Sequence, residues 1–155
     1  MAVVLSWKDL EALPEAAPEA TGVDARVEQA AASWQRQREE EYERSQGLFL
    51  VHVYKPSDQQ GQEVYVFIYL VKHVKGTVYP LRIGISKMKQ AEFYFGGAWG
   101  HQIFTVVNTG GNILGVRAHA YGTFLATCRV TFVDSENEPI IVHRYINCEM
   151  FGKPD

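Results

Sequence analysis

The spacing of apolar residues changes abruptly near residue 46, and this change limits the folds open to the chain. Before it the sequence is rich in Ala, Glu, Gln and Arg, and after it β-branched and aromatic residues dominate. From Gly47 onward apolar residues recur at every second position, which is the period of a strand with one buried face. The pattern predicts an all-β domain over residues 47–155, preceded by a helical N-terminal extension over residues 1–46.

Eight segments of the β region carry this alternation: 48–54, 63–72, 77–85, 90–95, 102–108, 113–119, 123–133 and 139–149. The clearest is 123–133, whose apolar face comprises Phe124, Ala126, Cys128, Val130 and Phe132. A cluster of turn residues at 134–138 predicts that 123–149 forms a long antiparallel hairpin. Segment 65–71 is apolar on both faces, which indicates a strand in the middle of a sheet. Many short strands separated by turns are typical of a β-sandwich or a barrel.

The N-terminal extension carries two sequences of the capping-box type, at 6–9 and 21–24. They predict a short helix that ends before Pro14 and a longer helix over 24–45. The longer helix has a narrow apolar stripe: Val27, Ala30, Ala31 and Trp34. Two interpretations stay open. Either Trp34 lays a solvated helix against the β domain, or the helix is a docking or dimerisation element that makes the chain a homo-oligomer.

Composition excludes several classes of protein and partner. The chain has 155 residues and a formal net charge of −3, with 15 Lys+Arg against 18 Asp+Glu, so nucleic acid is not expected as a partner. No apolar run approaches the roughly 20 residues that cross a bilayer, so no membrane partner is expected either. The two cysteines, Cys128 and Cys148, are predicted to be reduced core residues, which favours a cytoplasmic protein.

The sequence contains no motif that argues for catalysis, a metal or a cofactor. The five histidines lie at no metal-ligand spacing, and neither a serine-hydrolase elbow nor a phosphate-binding loop is present. The enzyme alternative is a small hydrolase using His101, His119 or Cys148. It requires a histidine within about 3 Å of a nucleophile.

Aromatic residues beside glycines in the predicted loops are the most informative functional feature. Trp99 follows the strand 90–95, and Tyr121 precedes the strand 123–133. Loop aromatics present large rigid apolar faces at a small entropic cost, which is common in recognition sites. Two alternatives remain at this point: Trp99 plugs the end of the sandwich, and Phe124 belongs to the core.

At these residues the sequence resembles the YEATS domain, an immunoglobulin-like β-sandwich. The family has a strand carrying Trp or Tyr, then a "VxKVxFxLHxSF" segment, then "GYxGFxxxIxVxF", and a final strand with an aromatic-rich ending. The corresponding stretches here are 64–69, 88–99, 120–132 and 141–145. Order and spacing hold over roughly residues 48–150. The sequence looks closer to the prokaryotic branch, found in bacterial conflict and signalling systems, than to the eukaryotic chromatin readers.

The resemblance implies a site for a flat ligand such as an acyl-lysine side chain held between two loop aromatics. Trp99 matches the aromatic of the first loop, Tyr121 that of the second, and Phe124 the phenylalanine that closes the pocket floor. The family's loop histidine and serine fall on Gly96 and Ala98. These positions lack the side-chain hydrogen bonds that orient the ligand amide in the family. Orientation would then come from backbone groups around three glycines: Gly97, Gly100 and Gly122.

These observations together predict a non-enzymatic recognition module with no cofactor and no metal. Its partner is expected to be a protein, bound through a modified side chain or another flat group, in a bacterial sensor or adaptor. The alternatives are the small hydrolase and a structural subunit that holds a complex together through helix 24–45.

Overall fold

The computed structural model describes residues 6–16, 25–74, 77–80, 87–110, 113–134 and 136–149. Two helices precede the β region: α1, Trp7–Glu11, and α2, Ala25–Ser45. The capping box predicted for α1 is confirmed, because the Ser6 hydroxyl accepts from the Asp9 N–H and the Asp9 carboxylate accepts from the Ser6 N–H. The capping box predicted at 21–24 lies outside the described residues. Neither described helix is long and apolar enough to span a membrane.

The end of α2 coincides with the change of period in the sequence. Gln46 has a φ of 52° and Gly47 a φ of 76°. The Gly47 N–H donates to the Tyr42 carbonyl at 3.0 Å, as in a helix-terminating Schellman motif. A Cβ on Gly47 would lie 2.9 Å from the His73 carbonyl oxygen, so glycine is required both by conformation and by space.

The described residues contain eight strands, and each overlaps one of the eight predicted segments. They are β1, Leu48–Gln59; β2, Gln62–Val74; β3, Thr77–Pro80; β4, Met88–Tyr94; β5, Ile103–Val107; β6, Gly115–Ala120; β7, Phe124–Phe132; and β8, Ile140–Ile146. Strand β1 runs five residues beyond its predicted end at 54, because Pro56 lies on an edge strand where its missing N–H is tolerated. Residues 81–85 of the predicted third strand fall outside the described residues.

The strands form two sheets in which every pairing is antiparallel. In the first sheet β1 pairs with one side of β2, while β6 and β3 share its other side. The second sheet has the order β5–β4–β7–β8, which confirms the predicted β7–β8 hairpin. Buried side chains from both sheets form one core. The predicted fold class, an immunoglobulin-like β-sandwich behind a helical segment, is therefore confirmed.

The predicted inward face of β7 is the buried one. Ala126, Cys128 and Val130 are fully buried, while Phe124 and Phe132 at the two ends of the strand are partly buried. Both cysteines are buried and unpaired. Burial, with a smaller contribution from the charge of Glu92, raises the pKa of the Cys128 thiol to about 12. This thiol therefore packs as a small neutral side chain.

Helix α2 contacts the sandwich through its last turns, and the interpretation that Trp34 lays it on the β domain is wrong. Trp34 is 66% exposed. Tyr42 makes the contact instead: its ring meets Phe49 edge-on at 5.2 Å, and its hydroxyl is hydrogen-bonded to His73 Nδ1. The apolar stripe gave the wrong contact residue because it lies in the first half of the helix, whereas the helix packs on the sandwich near residue 45. A docking role for α2, the other interpretation, stays a prediction.

Candidate functional site

The strand register brings the two aromatic loops together at one end of the sandwich. Strand β4 ends at Tyr94, which pairs with Thr127 near the start of β7. Strand β6 ends at Ala120, which pairs with Val64 at the same end. The β4–β5 and β6–β7 connections therefore leave the sheets side by side.

A cleft of about 90 Å³ opens between these connections, and residues of both loops line it: Gln62, Ala98, Trp99, His119, Ala120, Tyr121, Gly122, Thr123 and Phe124. Four of the predicted site residues meet here, namely Trp99, Tyr121, Gly122 and Phe124. Gly97 and Gly100 are not among the lining residues. Aromatic residues of both loops therefore line one cleft.

Trp99 combines the two roles that the sequence left open. Its ring packs on three phenylalanines, with centroid distances of 5.2 Å to Phe95, 5.3 Å to Phe124 and 6.3 Å to Phe104. It is partly buried against the core and also lines the cleft. Tyr121, on the other side, is 71% exposed. One wall of the cleft is therefore anchored in the core, and the other is a solvent-facing ring.

The glycines of the β4–β5 connection form the turn that positions Trp99. Gly96 has a φ of 101° and a ψ of −171°, a region that glycine alone occupies without strain. A 3₁₀ turn follows over Gly97–Trp99, and a Cβ on Gly97 would lie 3.2 Å from His101 Nε2. The backbone conformation therefore requires glycine at position 96. A ligand-contacting role for Gly97 and Gly100 stays a prediction.

His119 is one of three polar residues lining the cleft, with Gln62 and Thr123, that the sequence analysis did not place in the aromatic site. Its Nδ1 lies 2.7 Å from the Ser57 hydroxyl oxygen, and its ring stacks on Tyr65 with a centroid distance of 4.2 Å and an interplanar angle of 20°. The contact with Ser57, 62 residues away, has no signature in the sequence.

Cys148 is hydrogen-bonded to a loop that lines the cleft. Its Sγ donates to the Gly122 carbonyl at 3.0 Å, which ties the end of the β8 segment to the β6–β7 loop. Burial raises the pKa of this thiol, so it keeps the proton that the bond needs. Thr123 is held in a similar way, because its hydroxyl oxygen accepts from the Tyr145 hydroxyl at 2.8 Å.

The three residues named for the hydrolase alternative have different surroundings. His101 Nδ1 is 2.6 Å from the Tyr94 hydroxyl, and Cys148 is engaged by Gly122. His119 does lie within hydrogen-bond distance of a hydroxyl nucleophile, that of Ser57. In the described part of the chain no carboxylate is hydrogen-bonded to His119. Among the described residues there is also no group of three His, Cys, Asp or Glu side chains placed to hold a metal ion.

A larger groove, of about 600 Å³, lies at the other end of the sandwich between α2, β1 and β8. Its charged and polar side chains already have hydrogen-bond partners within the protein. Arg44 is paired with Glu41 at 2.5 Å, His73 is bonded to Tyr42, and Arg144 donates to His52 at 3.1 Å. Because its polar groups are satisfied within the protein, this groove offers a ligand less than the smaller aromatic cleft does.

Comparisons with known proteins find a likeness in structure but not in sequence. No protein-family model matches the sequence, and no curated protein matches it either. Among solved structures the chain is similar to the Yaf9 YEATS domain described as recognizing an H3K122suc peptide, with a TM-score of 0.49 and 10% identity over 64% of this chain and 69% of that one. At this identity the likeness concerns the course of the backbone and not the residues of a site.

Proposed function

We propose that this chain is a non-enzymatic recognition module that binds a modified side chain of a partner protein, or another flat group, in the aromatic cleft. The observation that carries the proposal is the convergence of Trp99, Tyr121 and Phe124 from two loops onto one cleft. A flat group between aromatic rings gains from burial of its apolar faces and from stacking.

The size of the cleft limits the ligand to a small group. Pockets for drug-sized molecules and cofactors measure roughly 300–1000 Å³, whereas this cleft measures about 90 Å³. It fits the tip of a side chain, such as the acyl group and amide of an acylated lysine, with the rest of the partner lying outside. The resemblance to YEATS domains favours this ligand class and a sensor or adaptor role in a bacterial signalling system.

The experiment is a titration of the ¹⁵N-labelled full chain with short Gly-flanked peptides carrying acetyl-, crotonyl- or succinyl-lysine. At least one peptide should shift the indole N–H signal of Trp99, and Tyr121→Ala should weaken its binding at least tenfold. Trp34→Ala is the matched control, because it removes an exposed aromatic ring that does not line the cleft. If no acyl peptide shifts the Trp99 signal more than the unmodified lysine peptide does, the acyl-lysine proposal fails.

A second candidate, hydrolysis, is favoured by one specific observation, the 2.7 Å contact between Ser57 and His119. A serine activated in this way reacts with fluorophosphonate probes, since a histidine base makes its hydroxyl nucleophilic. Labelling of the full chain that disappears in Ser57→Ala would establish the hydrolase. We expect no labelling, because the Ser57 oxygen also accepts the Gln59 N–H in a local turn.

A further inference from the structure

We propose that the free edge of β5 is a self-association site, at which two copies of this chain pair their β5 strands antiparallel about a two-fold axis at Thr105. The inference rests on the backbone and side chains of one edge strand, Ile103–Val107. It does not depend on what the aromatic cleft binds.

Strand β5 is the last strand of its sheet, and its outer edge lacks the features that protect edge strands. Among the described residues β5 pairs with β4 alone. Its sequence, Ile-Phe-Thr-Val-Val, contains no proline, glycine or charged residue. The whole segment 93–116 contains no Lys, Arg, Asp or Glu, although 21% of the chain is charged. An uncharged, β-branched edge of this kind is a ready template for another strand.

The other sheet edges differ from β5 in this respect. The edges of β1 and β8 lie beside each other, and the Arg144 Nε of β8 donates to the His52 Nδ1 of β1 at 3.1 Å. Strand β3 is four residues long and ends at Pro80. Strand β6 carries the exposed Arg117. Short length, proline, charge and covering groups are the usual means by which proteins block pairing at an edge.

The ladder between β4 and β5 determines which backbone groups of β5 face outwards. The Asn108 N–H donates to the Lys89 carbonyl at 3.1 Å. Hydrogen-bonded pairs alternate along an antiparallel ladder, so the even-numbered residues of β5 are also bonded to β4. The N–H and C=O groups of the odd-numbered residues, Ile103, Thr105 and Val107, therefore point away from β4 towards the open edge.

The side chains of the same three residues lie on the outer face of the sheet. Ile103 and Val107 are each 60% exposed, and Thr105 between them is also exposed. The alternate residues, Phe104 and Val106, pack against the core. The edge therefore combines outward backbone groups with exposed β-branched side chains, which pack well against a neighbouring strand.

The order of these side chains fits a second copy of the same strand. In an antiparallel pair centred on Thr105, the two threonines lie opposite each other, and Ile103 of each copy lies opposite Val107 of the other. All the outward groups then meet, which gives about six backbone hydrogen bonds. Threonine–threonine and aliphatic pairs are favourable across strands. Because the strand is uncharged, the pairing places no like charges opposite each other, although each chain carries a net charge of −3.

The experiment is sedimentation equilibrium of the full chain and of variants with a charge on the proposed axis. The full chain should dimerise with a Kd on the order of 10 µM, since two five-residue strands form a small interface. Thr105→Lys and Thr105→Glu should each weaken dimerisation at least tenfold, because like charges then lie opposite each other. An equimolar mixture of the two variants should form dimers again, since Lys then lies opposite Glu.

The controls test folding and location. Thr105 is exposed, so both variants should keep the circular-dichroism spectrum and the urea midpoint of the full chain. Leu125→Lys places the same charge on the exposed face of β7 and should leave the dimer intact. Tyr121→Ala should also leave it intact, so failure of the recognition proposal and failure of this inference are measured separately.

Three outcomes would overturn the inference. The first is a full chain that stays monomeric at roughly 0.5 mM, far above the expected Kd. The second is a dimer that persists in both Thr105 variants and is lost in Trp34→Ala, because the interface would then lie on α2. The third is dimerisation that is lost in each Thr105 variant and not restored in their mixture, since the two positions would then not face each other.

Discussion

Replacing Trp99 by alanine should affect stability and binding together, whereas replacing Tyr121 should affect binding alone. The two side chains face the same cleft, but they are anchored differently. The Trp99 ring lies on Phe95, Phe104 and Phe124 and is partly buried. Tyr121 is 71% exposed and projects from a loop.

The magnitudes follow from this difference in burial. Removing a fully buried tryptophan costs roughly 3–5 kcal/mol through lost contacts and the cavity that is left. Since Trp99 is partly exposed, Trp99→Ala should lower the free energy of unfolding by about 2–3 kcal/mol. In a domain of about 150 residues this corresponds to a fall in Tm of about 4–12 °C. Tyr121→Ala should change the free energy of unfolding by less than about 0.5 kcal/mol, as for an ordinary surface substitution.

Urea titration followed by circular dichroism measures both variants, with Trp34→Ala as the surface tryptophan for comparison. The m-value should stay constant, because the area exposed on unfolding is nearly the same. A loss below about 0.5 kcal/mol in Trp99→Ala would show that the tryptophan does not close the end of the sandwich. A loss above about 1.5 kcal/mol in Tyr121→Ala would show that its ring carries packing that the exposed position excludes.

Three further predictions concern the rest of the molecule. Deleting residues 1–35 should leave the free energy of unfolding nearly unchanged, whereas deleting residues 1–46 should lower it by about 1–3 kcal/mol, because Tyr42 packs on the sandwich. Native Cys128 should resist iodoacetamide at pH 8, and the free energy of unfolding should fall as the pH rises from 9.0 towards about 12, since the unfolded thiol loses its proton first. Trp34→Ala should lower the sedimentation mass of the full chain if α2 is a dimerisation element.

Each of these has an outcome that contradicts it. Equal urea midpoints for the two deletions would remove Tyr42 from the stabilising contacts. Alkylation of Cys128 at the rate of a free thiol, or stability that rises above pH 9.0, would contradict the burial that raises its pKa. A monomeric mass for the full chain, identical to that of Trp34→Ala, would remove dimerisation and leave an exposed tryptophan for a different partner.

The β architecture could be predicted because a local pattern determined it. Strand β7 alternates so regularly that its buried face, Ala126, Cys128 and Val130, was identified residue by residue. The placement of α2 could not be predicted in the same way. Its apolar stripe ends at Trp34, while the contact that fixes it is made by Tyr42 with Phe49 and with a histidine that enters from another strand. Such contacts depend on which strand lies beside the helix, and that information is not local.

The site shows the same division between local and long-range signals. Trp99 and Tyr121 were recognisable because aromatic residues beside glycines stand out in any loop. The pairing of His119 with Ser57 depends on β1 extending past Pro56, so that Ser57 reaches the end of the sheet where β6 finishes. The sequence predicted an end at residue 54, so this extension was missed, and the contact between Ser57 and His119 was missed with it.

The position of α2 relative to the cleft has a consequence for how the chain can work inside an assembly. Strand β1 follows α2 and begins at Leu48. Ser57, beside the cleft, lies nine residues further along the same strand. At about 3.3 Å per residue these two points are roughly 30 Å apart. The contact of the end of α2 with the sandwich is therefore well separated from the cleft. If α2 and the cleft each bind weakly to the same assembly, the chain is held bivalently, and the combined affinity exceeds that of either contact alone.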